Sequence, residues 1–97
     1  MLARVTTSQG KPEQIEAGIR KFKEEVGSVV KEMTGFKGSY LLVERKSGKM
    51  LGIALWDNKE NLEASSKVAA QIRKGVVQAA GSTELPTVEI FEVAARE

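Results

Sequence analysis

The sequence predicts an α+β fold in which one antiparallel sheet carries two helices on one of its faces. Four segments have the β-branched or alternating composition of strands, and two longer segments repeat apolar residues every three or four positions. Their order along the chain is β-α-β-β-α-β, which is typical of a ferredoxin-like sandwich. The 97 residues suffice for one domain, which we expect to span 1–97.

The first part of the chain supplies one strand and one long helix. The segment Leu2–Ser8 is rich in β-branched residues and is followed by a glycine at position 10. Pro12 stands where the first turn of a helix tolerates proline. A helix of about five turns is expected next, with Gly35 after its last turn. Its apolar stripe consists of Ile15, Ile19, Phe22, Val26, Val30 and Met33.

A hairpin of two strands is predicted at 37–45 and 49–56. Gly48 favours a type I turn followed by a left-handed glycine bulge, which pairs Arg45 with Lys49. A rival two-residue turn over Ser47-Gly48 mixes the two faces, and we prefer the first turn because one face becomes uniformly aliphatic. In the preferred register one face holds Ser39, Leu41, Val43, Leu51, Ile53 and Leu55, and the other holds Tyr40, Leu42, Glu44, Met50, Gly52, Ala54 and Trp56.

Neither face of this hairpin is polar in mid-strand, so both faces need a cover. The two helices cover only one face of the sheet. We therefore expect a homodimer in which two sheets pack face to face across a two-fold axis.

The second helix follows a capping signal, and a last strand completes the sheet. Asp57 or Asn58 can cap the helix, and Glu60 is placed to close a capping box from Asp57. The helix is expected to end before Gly81, and the last strand to start at Pro86. The helical stripe consists of Leu62, Ala69, Ile72, Val76 and Ala79/Ala80, with Val68 beside it.

The composition argues against several functional classes. The net charge is +2 with the signs interspersed, which does not favour a nucleic-acid surface. Cysteine and histidine are both absent, so disulfides, Cys/His zinc sites and His-based triads are excluded. No EF-hand-type loop is present, and we expect no metal. No apolar run approaches the ~18 residues of a membrane span, and no signal peptide is evident, so we expect a cytoplasmic protein that does not bind membranes.

Two stretches, "MTGFKGSYLLVERKSGK" and "LWDNKENLEASS", resemble the dimeric α/β-barrel proteins of the antibiotic-biosynthesis-monooxygenase type. The shared pattern is a "GF.G" start of the second strand and a third strand that ends in Trp and an acidic residue before a capped helix. The resemblance implies a homodimer with a small-molecule pocket between helices and sheet in each protomer. The superfamily includes quinol or anthrone monooxygenases that need neither metal nor flavin, haem-degrading enzymes, isomerases and decarboxylases.

The sequence does not match the haem-degrading branch when the two are compared residue by residue. It uses an Asn on the first strand, a Trp at the end of the third strand and a His on the second helix. Trp56 matches, but Ala3 stands at the Asn position and the chain has no His to ligate iron. We therefore expect neither haem nor another cofactor.

Trp56 is the centre of the predicted site, either as a pocket wall or as a plug in the core. Gly52 and Ala54 precede it on the same face, and Tyr40 is expected across from Ala54. Small residues flanked by aromatic ones leave volume for an apolar ligand, although they also admit close helix packing. The cofactor-free monooxygenases resemble sites built from Trp, Tyr, Asn and Arg around a phenolic substrate. The residues of these types here are Trp56, Tyr40, Asn58 and Arg73.

Two functions remain open from the sequence. The first is cofactor-independent oxygenation of a phenol or quinol, in which Tyr40 hydrogen-bonds the substrate and Arg73 stabilises a phenolate. The second is a non-enzymatic ligand-binding or structural dimer, because general acid–base catalysis most often uses His. The expected ligand is small and apolar or aromatic. Arg4 is expected to form an ion pair with Glu89 or Glu92 at the dimer seam, with anion binding as the alternative.

Overall fold

The computed structural model describes residues 1–97 and confirms the predicted α+β, ferredoxin-like architecture. The four strands form one antiparallel sheet in the order β2-β3-β1-β4, so β1 and β3 are central. The elements are β1 (Leu2–Gln9), α1 (Ile15–Ser28), β2 (Phe36–Glu44), β3 (Lys49–Trp56), α2 (Lys59–Ala64), α3 (Ser66–Ala79) and β4 (Thr87–Glu92). None of the helices has the length and apolar character that crossing a membrane requires.

The first helix is shorter than predicted. It ends at Ser28, and a 3₁₀ turn at Val30–Glu32 replaces its last turns. This turn buries Val30 against Trp56 and Leu62, which accounts for an apolar residue at that position of the stripe. Gly35 has a left-handed backbone (φ +84°) as expected. It also lies so close to the start of α2 that an added Cβ would clash with the side chains of Asp57 and Asn61. Its carbonyl accepts a 2.9 Å hydrogen bond from the N–H of Asp57.

The hairpin has a different register from the predicted one. Glu44 pairs with Lys49, and a four-residue loop connects the strands. The carbonyl of Glu44 accepts from the N–H of Gly48 (2.9 Å), and its carboxylate accepts from the N–H of Ser47 (2.9 Å). Hydrogen bonds to the carboxylate, from Ser47 and then from the N–H of Lys46, hold the pKa of Glu44 below its usual range. The bonds from Ser47 and Gly48 together fix the longer loop. The left-handed Gly48 was predicted correctly, but the pairing of Arg45 with Lys49 was wrong.

The corrected register redistributes the side chains between the two faces of the sheet. Gly52, Ala54 and Trp56 face the helices together with the opposite residues of β2, whereas Tyr40 pairs with Ile53 on the other face. A shift of one residue in a hairpin moves every side chain of one strand across the sheet. The predicted neighbourhood of Tyr40 and Ala54 is therefore wrong.

The core lies between the helices and the sheet and contains two clusters. One consists of Ile15, Met50, Val76 and Ala80. The other surrounds Trp56, which is 1% exposed. The rings of Phe36 and Trp56 meet edge to face, with centroids 5.5 Å apart, an arrangement that aromatic pairs favour.

The face of the sheet away from the helices, here called the open face, carries apolar side chains that nothing in the protomer covers. Tyr40, Leu42 and Phe91 lie on it and are 55%, 48% and 48% exposed, respectively. Val5 and Ile53 lie between them and are partly exposed. The prediction of a sheet with two apolar faces is thus confirmed, whereas the dimer itself stays a prediction.

Candidate functional site

An apolar cavity lies between α1, α3 and the sheet and is called the inner cavity below. Its volume is about 90 Å³, and 13 of its 20 lining residues are hydrophobic. Gly52 and Ala54 line it from β3, and Trp56 lines it from the end of the same strand. A Cβ at Gly52 would meet only the Cβ of Thr6, at 3.9 Å. The small residues therefore leave space rather than admit a close helix contact.

Arg4 projects from the central strand β1 into the space between the sheet and the helices. Its side chain is buried (6% exposed). One terminal nitrogen donates to the hydroxyl of Ser65 at 3.0 Å, and the other donates to the carbonyl of Leu62 at 2.9 Å. All of its acceptors are neutral. The guanidinium is thus held rigidly without a carboxylate.

The expected ion pair of Arg4 with Glu89 or Glu92 is not formed. Glu89 pairs with Val5 and lies on the open face, opposite to the side on which Arg4 projects. Glu92 shares the face of Arg4 but stands opposite Leu2 at the end of the strand. Hydrogen bonds to the helices hold Arg4 instead, because its side chain points towards the helix layer and away from the proposed dimer seam.

Ser65 explains why Arg4 finds acceptors here. It is buried and stands between α2 and α3, which the sequence predicted as one continuous helix. Its hydroxyl donates to the carbonyl of Leu62 at 2.6 Å while it accepts from Arg4. The Ser65-Ser66 pair is the feature of the sequence that indicates a break between the two helices, because a serine side chain competes with the hydrogen bonds of the helix backbone.

Arg73 reaches the inner cavity from α3. It forms no hydrogen bond and no ion pair, and its Nε is buried without a partner. Burial lowers the pKa of Arg73. Burial also lowers the pKa of Arg4, and the positive charge of Arg73 lowers it further. The two guanidinium groups therefore lie close enough to repel each other, and both remain cationic because the pKa of arginine lies far above neutrality.

Trp56 lines the same cavity. Its indole N–H is buried and has no acceptor in the protein, although buried N–H groups almost always find a partner. Together with the two arginines, the site is rich in donors and poor in acceptors, and a ligand that offers acceptors matches it.

A second, larger depression borders the same two arginines on the outer side and is called the outer groove below. Its volume is about 600 Å³, within the range of roughly 300–1,000 Å³ that is usual for ligand sites. Besides Arg4 and Arg73, it is lined by Leu2, Lys59, Leu62, Glu63, Ser66, Val88 and Ile90. The arginines thus stand at the junction of the two spaces.

The structure brings together four of the six residues that the sequence nominated: Gly52, Ala54, Trp56 and Arg73. Tyr40 is absent from the cavity because it lies on the open face. Asn58 is exposed and caps α2, where its side-chain oxygen accepts from the N–H of Asn61 at 2.9 Å. The site also contains Arg4 and Ser65, which sequence reasoning had not placed there. No three acidic side chains converge in a way that suits a metal ion.

The fold and this site define a ferredoxin-like α+β protein with a donor-lined cavity between its helices and its sheet. The family model of antibiotic biosynthesis monooxygenases matches residues 1–73, and the chain belongs to this family.

Curated relatives match nearly the whole chain. An uncharacterized protein of Mycobacterium tuberculosis is 36% identical over 93 residues, a match that covers 96% of this chain and 41% of that protein. The chain therefore spans about two fifths of the length of the curated relatives it matches.

Two solved structures show the same fold. An antibiotic biosynthesis monooxygenase is similar with a TM-score of 0.72 at 18% identity, over 98% of this chain and 100% of that one. A monooxygenase from the gene ActVA-Orf6 of Streptomyces coelicolor, solved in complex with the ligand nanaomycin D, has a TM-score of 0.70 at 14% identity. That match covers 99% of this chain and 89% of the other.

Proposed function

We propose that the protein binds a small phenolic or quinol-type molecule at the junction of the inner cavity and the outer groove and oxygenates it without a cofactor. The observation that carries this proposal is the side chain of Arg73, which has a buried, unpartnered Nε–H and lines a cavity whose walls are mostly hydrophobic and include Trp56. Family membership supports it, as does the nanaomycin D bound to the Streptomyces coelicolor monooxygenase.

The dimensions of the two spaces suggest how a ligand is placed. A cavity that holds benzene measures about 150 Å³, whereas the inner cavity measures about 90 Å³. One aromatic ring therefore enters the inner cavity only in part, beside Gly52 and Ala54. The remainder of the ligand extends past Arg4 and Arg73 into the outer groove.

The arginines supply the electrostatic part of the chemistry. A positive charge beside a phenol lowers the pKa of its hydroxyl and favours the electron-rich phenolate. The guanidinium of Arg73 has its N–H groups free to donate to that phenolate oxygen, and Trp56 walls the ring. The apolar lining excludes water and strengthens the interaction with the charge.

The reaction balances without an external reductant. A phenol and O₂ yield a quinone and water. One oxygen atom becomes a new carbonyl at the ring carbon that loses its hydrogen. The O–O bond breaks, and the second oxygen atom leaves as water with that hydrogen and the phenolic proton. The substrate supplies all four electrons that reduce O₂.

Binding and turnover test this proposal separately. The fluorescence of Trp56, the only tryptophan, should change saturably on titration with 1,4-dihydroxynaphthalene, and the rate of oxygen uptake should exceed that of the protein-free reaction. Arg73→Gln should slow oxygen uptake at least tenfold. The matched control Lys74→Gln, an exposed cation one position further on α3, should not. Absence of both binding and oxygen uptake for a series of phenols and quinols would refute the proposal.

The second function is a non-enzymatic ligand-binding protein. The observation that favours it is the character of the polar groups: Arg4, Arg73 and Trp56 donate, and no carboxylate lines the inner cavity to act as a base. Saturable binding without any increase in oxygen uptake would support this function over the first.

We also propose that two copies associate through the open face. Tyr40, Leu42 and Phe91 form an apolar surface there, and a second copy related by a two-fold axis presents the same surface in return. This arrangement leaves the cavity on the helix side of each protomer free.

A further inference from the structure

We infer that the ligand is an aromatic acid, whose carboxylate is held between Arg4 and Arg73 while part of its ring enters the inner cavity. The inference rests on the proposed function, because it names the chemical class of the molecule bound at the same site.

The first argument is the uncompensated charge. Neither arginine has an acidic partner, since the ion pairs of the protein are Lys21–Glu25, Arg45–Glu16 and Lys59–Glu63. Glu63 is the only carboxylate that lines either space, and it is exposed and engaged with Lys59 at 3.7 Å. Two neighbouring cations in partly desolvated surroundings repel each other, and an anion between them removes this cost.

The second argument is the count of free donors. A guanidinium has five N–H groups. Arg4 uses three of its own on Ser65, Leu62 and, at 3.5 Å, Ser66. Its Nε–H and one N–H of the nitrogen that bonds Ser65 remain available. Arg73 uses none, and its Nε lies buried. A carboxylate has two oxygens with about four acceptor positions, enough to engage both guanidinium groups.

The third argument is that the side chain of Arg4 is held rigidly whereas the side chain of Arg73 is free to move. The bonds to Ser65 and Leu62 hold Arg4 in place before a ligand arrives, which lowers the entropic cost of binding. Arg73 has no such restraints, so it can close onto the carboxylate from α3. The pair thus combines the guanidinium group of Arg4, which is held in place, with that of Arg73, which is free to move towards the ligand.

Apolar walls on both sides favour an organic acid over an inorganic anion. The inner cavity offers Gly52, Ala54 and Trp56 to a ring. On the other side of the arginines, Leu2, Val88 and Ile90 line the outer groove. An inorganic anion would gain nothing from these surfaces, whereas an aromatic acid buries part of its ring in the inner cavity and can place its remaining apolar surface against the outer groove.

The test compares an acid with its neutral isostere. Calorimetric titrations of the full chain at neutral pH with 2,5-dihydroxybenzoate and 2,5-dihydroxybenzamide should show that the acid binds at least tenfold more tightly. The affinity for the acid should fall as the salt concentration rises, and the affinity for the amide should not. Inorganic phosphate should bind at least tenfold more weakly than the acid.

Variants of the partly exposed Arg73 assign the effect without endangering the fold. Arg73→Gln should remove the preference for the acid, Arg73→Lys should retain part of it, and Lys74→Gln should leave it unchanged. Equal affinities of acid and amide would overturn the inference and leave the proposed function standing. Phosphate binding as tightly as the acid would also overturn it. If neither the acid, the amide nor any neutral phenol bound, both the inference and the proposed function would fall.

Discussion

The guanidinium of Arg4 donates a 3.0 Å hydrogen bond to the hydroxyl of Ser65, the residue at which α2 gives way to α3. This bond ties the central strand of the sheet to the helix layer across 61 positions of sequence. It also directs the arginine towards the cavity. The stability of the fold and the geometry of the site therefore depend on the same contact.

Replacing Ser65 by Ala should destabilise the protein. The substitution leaves a buried N–H of Arg4 without its acceptor, which typically costs about 1–3 kcal/mol. Denaturant unfolding followed by Trp56 fluorescence measures the free energy of unfolding. The control is Ser28→Ala at the exposed end of α1, which should change this free energy by less than about 0.5 kcal/mol. Equal effects of the two substitutions would contradict the assigned role of Ser65.

Alanine at two glycines should have opposite effects on stability. Gly48 has φ +82°, and a Cβ there would clash with the carbonyl oxygen of Gly10. Left-handed strain alone costs roughly 1–2 kcal/mol, and the backbone clash adds to it. Gly27 lies in α1 with nothing within 4 Å of an added Cβ, so alanine should stabilise by up to about 1 kcal/mol. Thermal unfolding of both variants checks the sign, and a stable Gly48→Ala protein would show that the hairpin loop has another conformation.

Features that depend on a single strand, helix or turn could be predicted from the sequence. Gly52, Ala54 and Trp56 share a face because they alternate along one strand, whatever its partner. The capping role near Asn58 and the left-handed Gly48 are likewise local. These residues were identified correctly as neighbours or as turn formers.

Features that depend on how two strands or helices are placed relative to each other could not be predicted from the sequence. The position of Tyr40 relative to Ala54 depends on the hairpin register, and the carboxylate of Glu44 stabilises a loop longer than the predicted one. The contact of Arg4 with Ser65 joins segments whose proximity follows only from the assembled sheet and helices. Uniform aliphatic character was a poor guide to register, because both faces of this sheet are apolar.

Filling the inner cavity should weaken ligand binding without harming the fold. Gly52→Ala and Gly52→Val add volume where only the Cβ of Thr6 lies near, at 3.9 Å. Glycine within a strand costs roughly 0.5–1 kcal/mol relative to alanine, so Gly52→Ala should be slightly more stable than the parent. The affinity for 2,5-dihydroxybenzoate should fall stepwise from glycine to alanine to valine. The nearly isosteric Thr7→Val on the open face of β1 should leave this affinity unchanged, and unchanged affinity in Gly52→Val would show that the ligand binds elsewhere.

A lysine at position 42 should dissociate the proposed dimer. Leu42 is 48% exposed on the open face, two positions after Tyr40 on β2 and opposite Leu51 of β3. A two-fold axis would bring two lysines at this position into one apolar interface, where unpaired charges are costly. Light scattering at micromolar concentration should give the mass of two chains for the parent and of one chain for Leu42→Lys. The matched control is Leu85→Lys, which alters an equally large apolar residue that is 95% exposed in the loop before β4, and this variant should remain dimeric. A parent protein that scatters as a single chain would refute the proposed association through the open face.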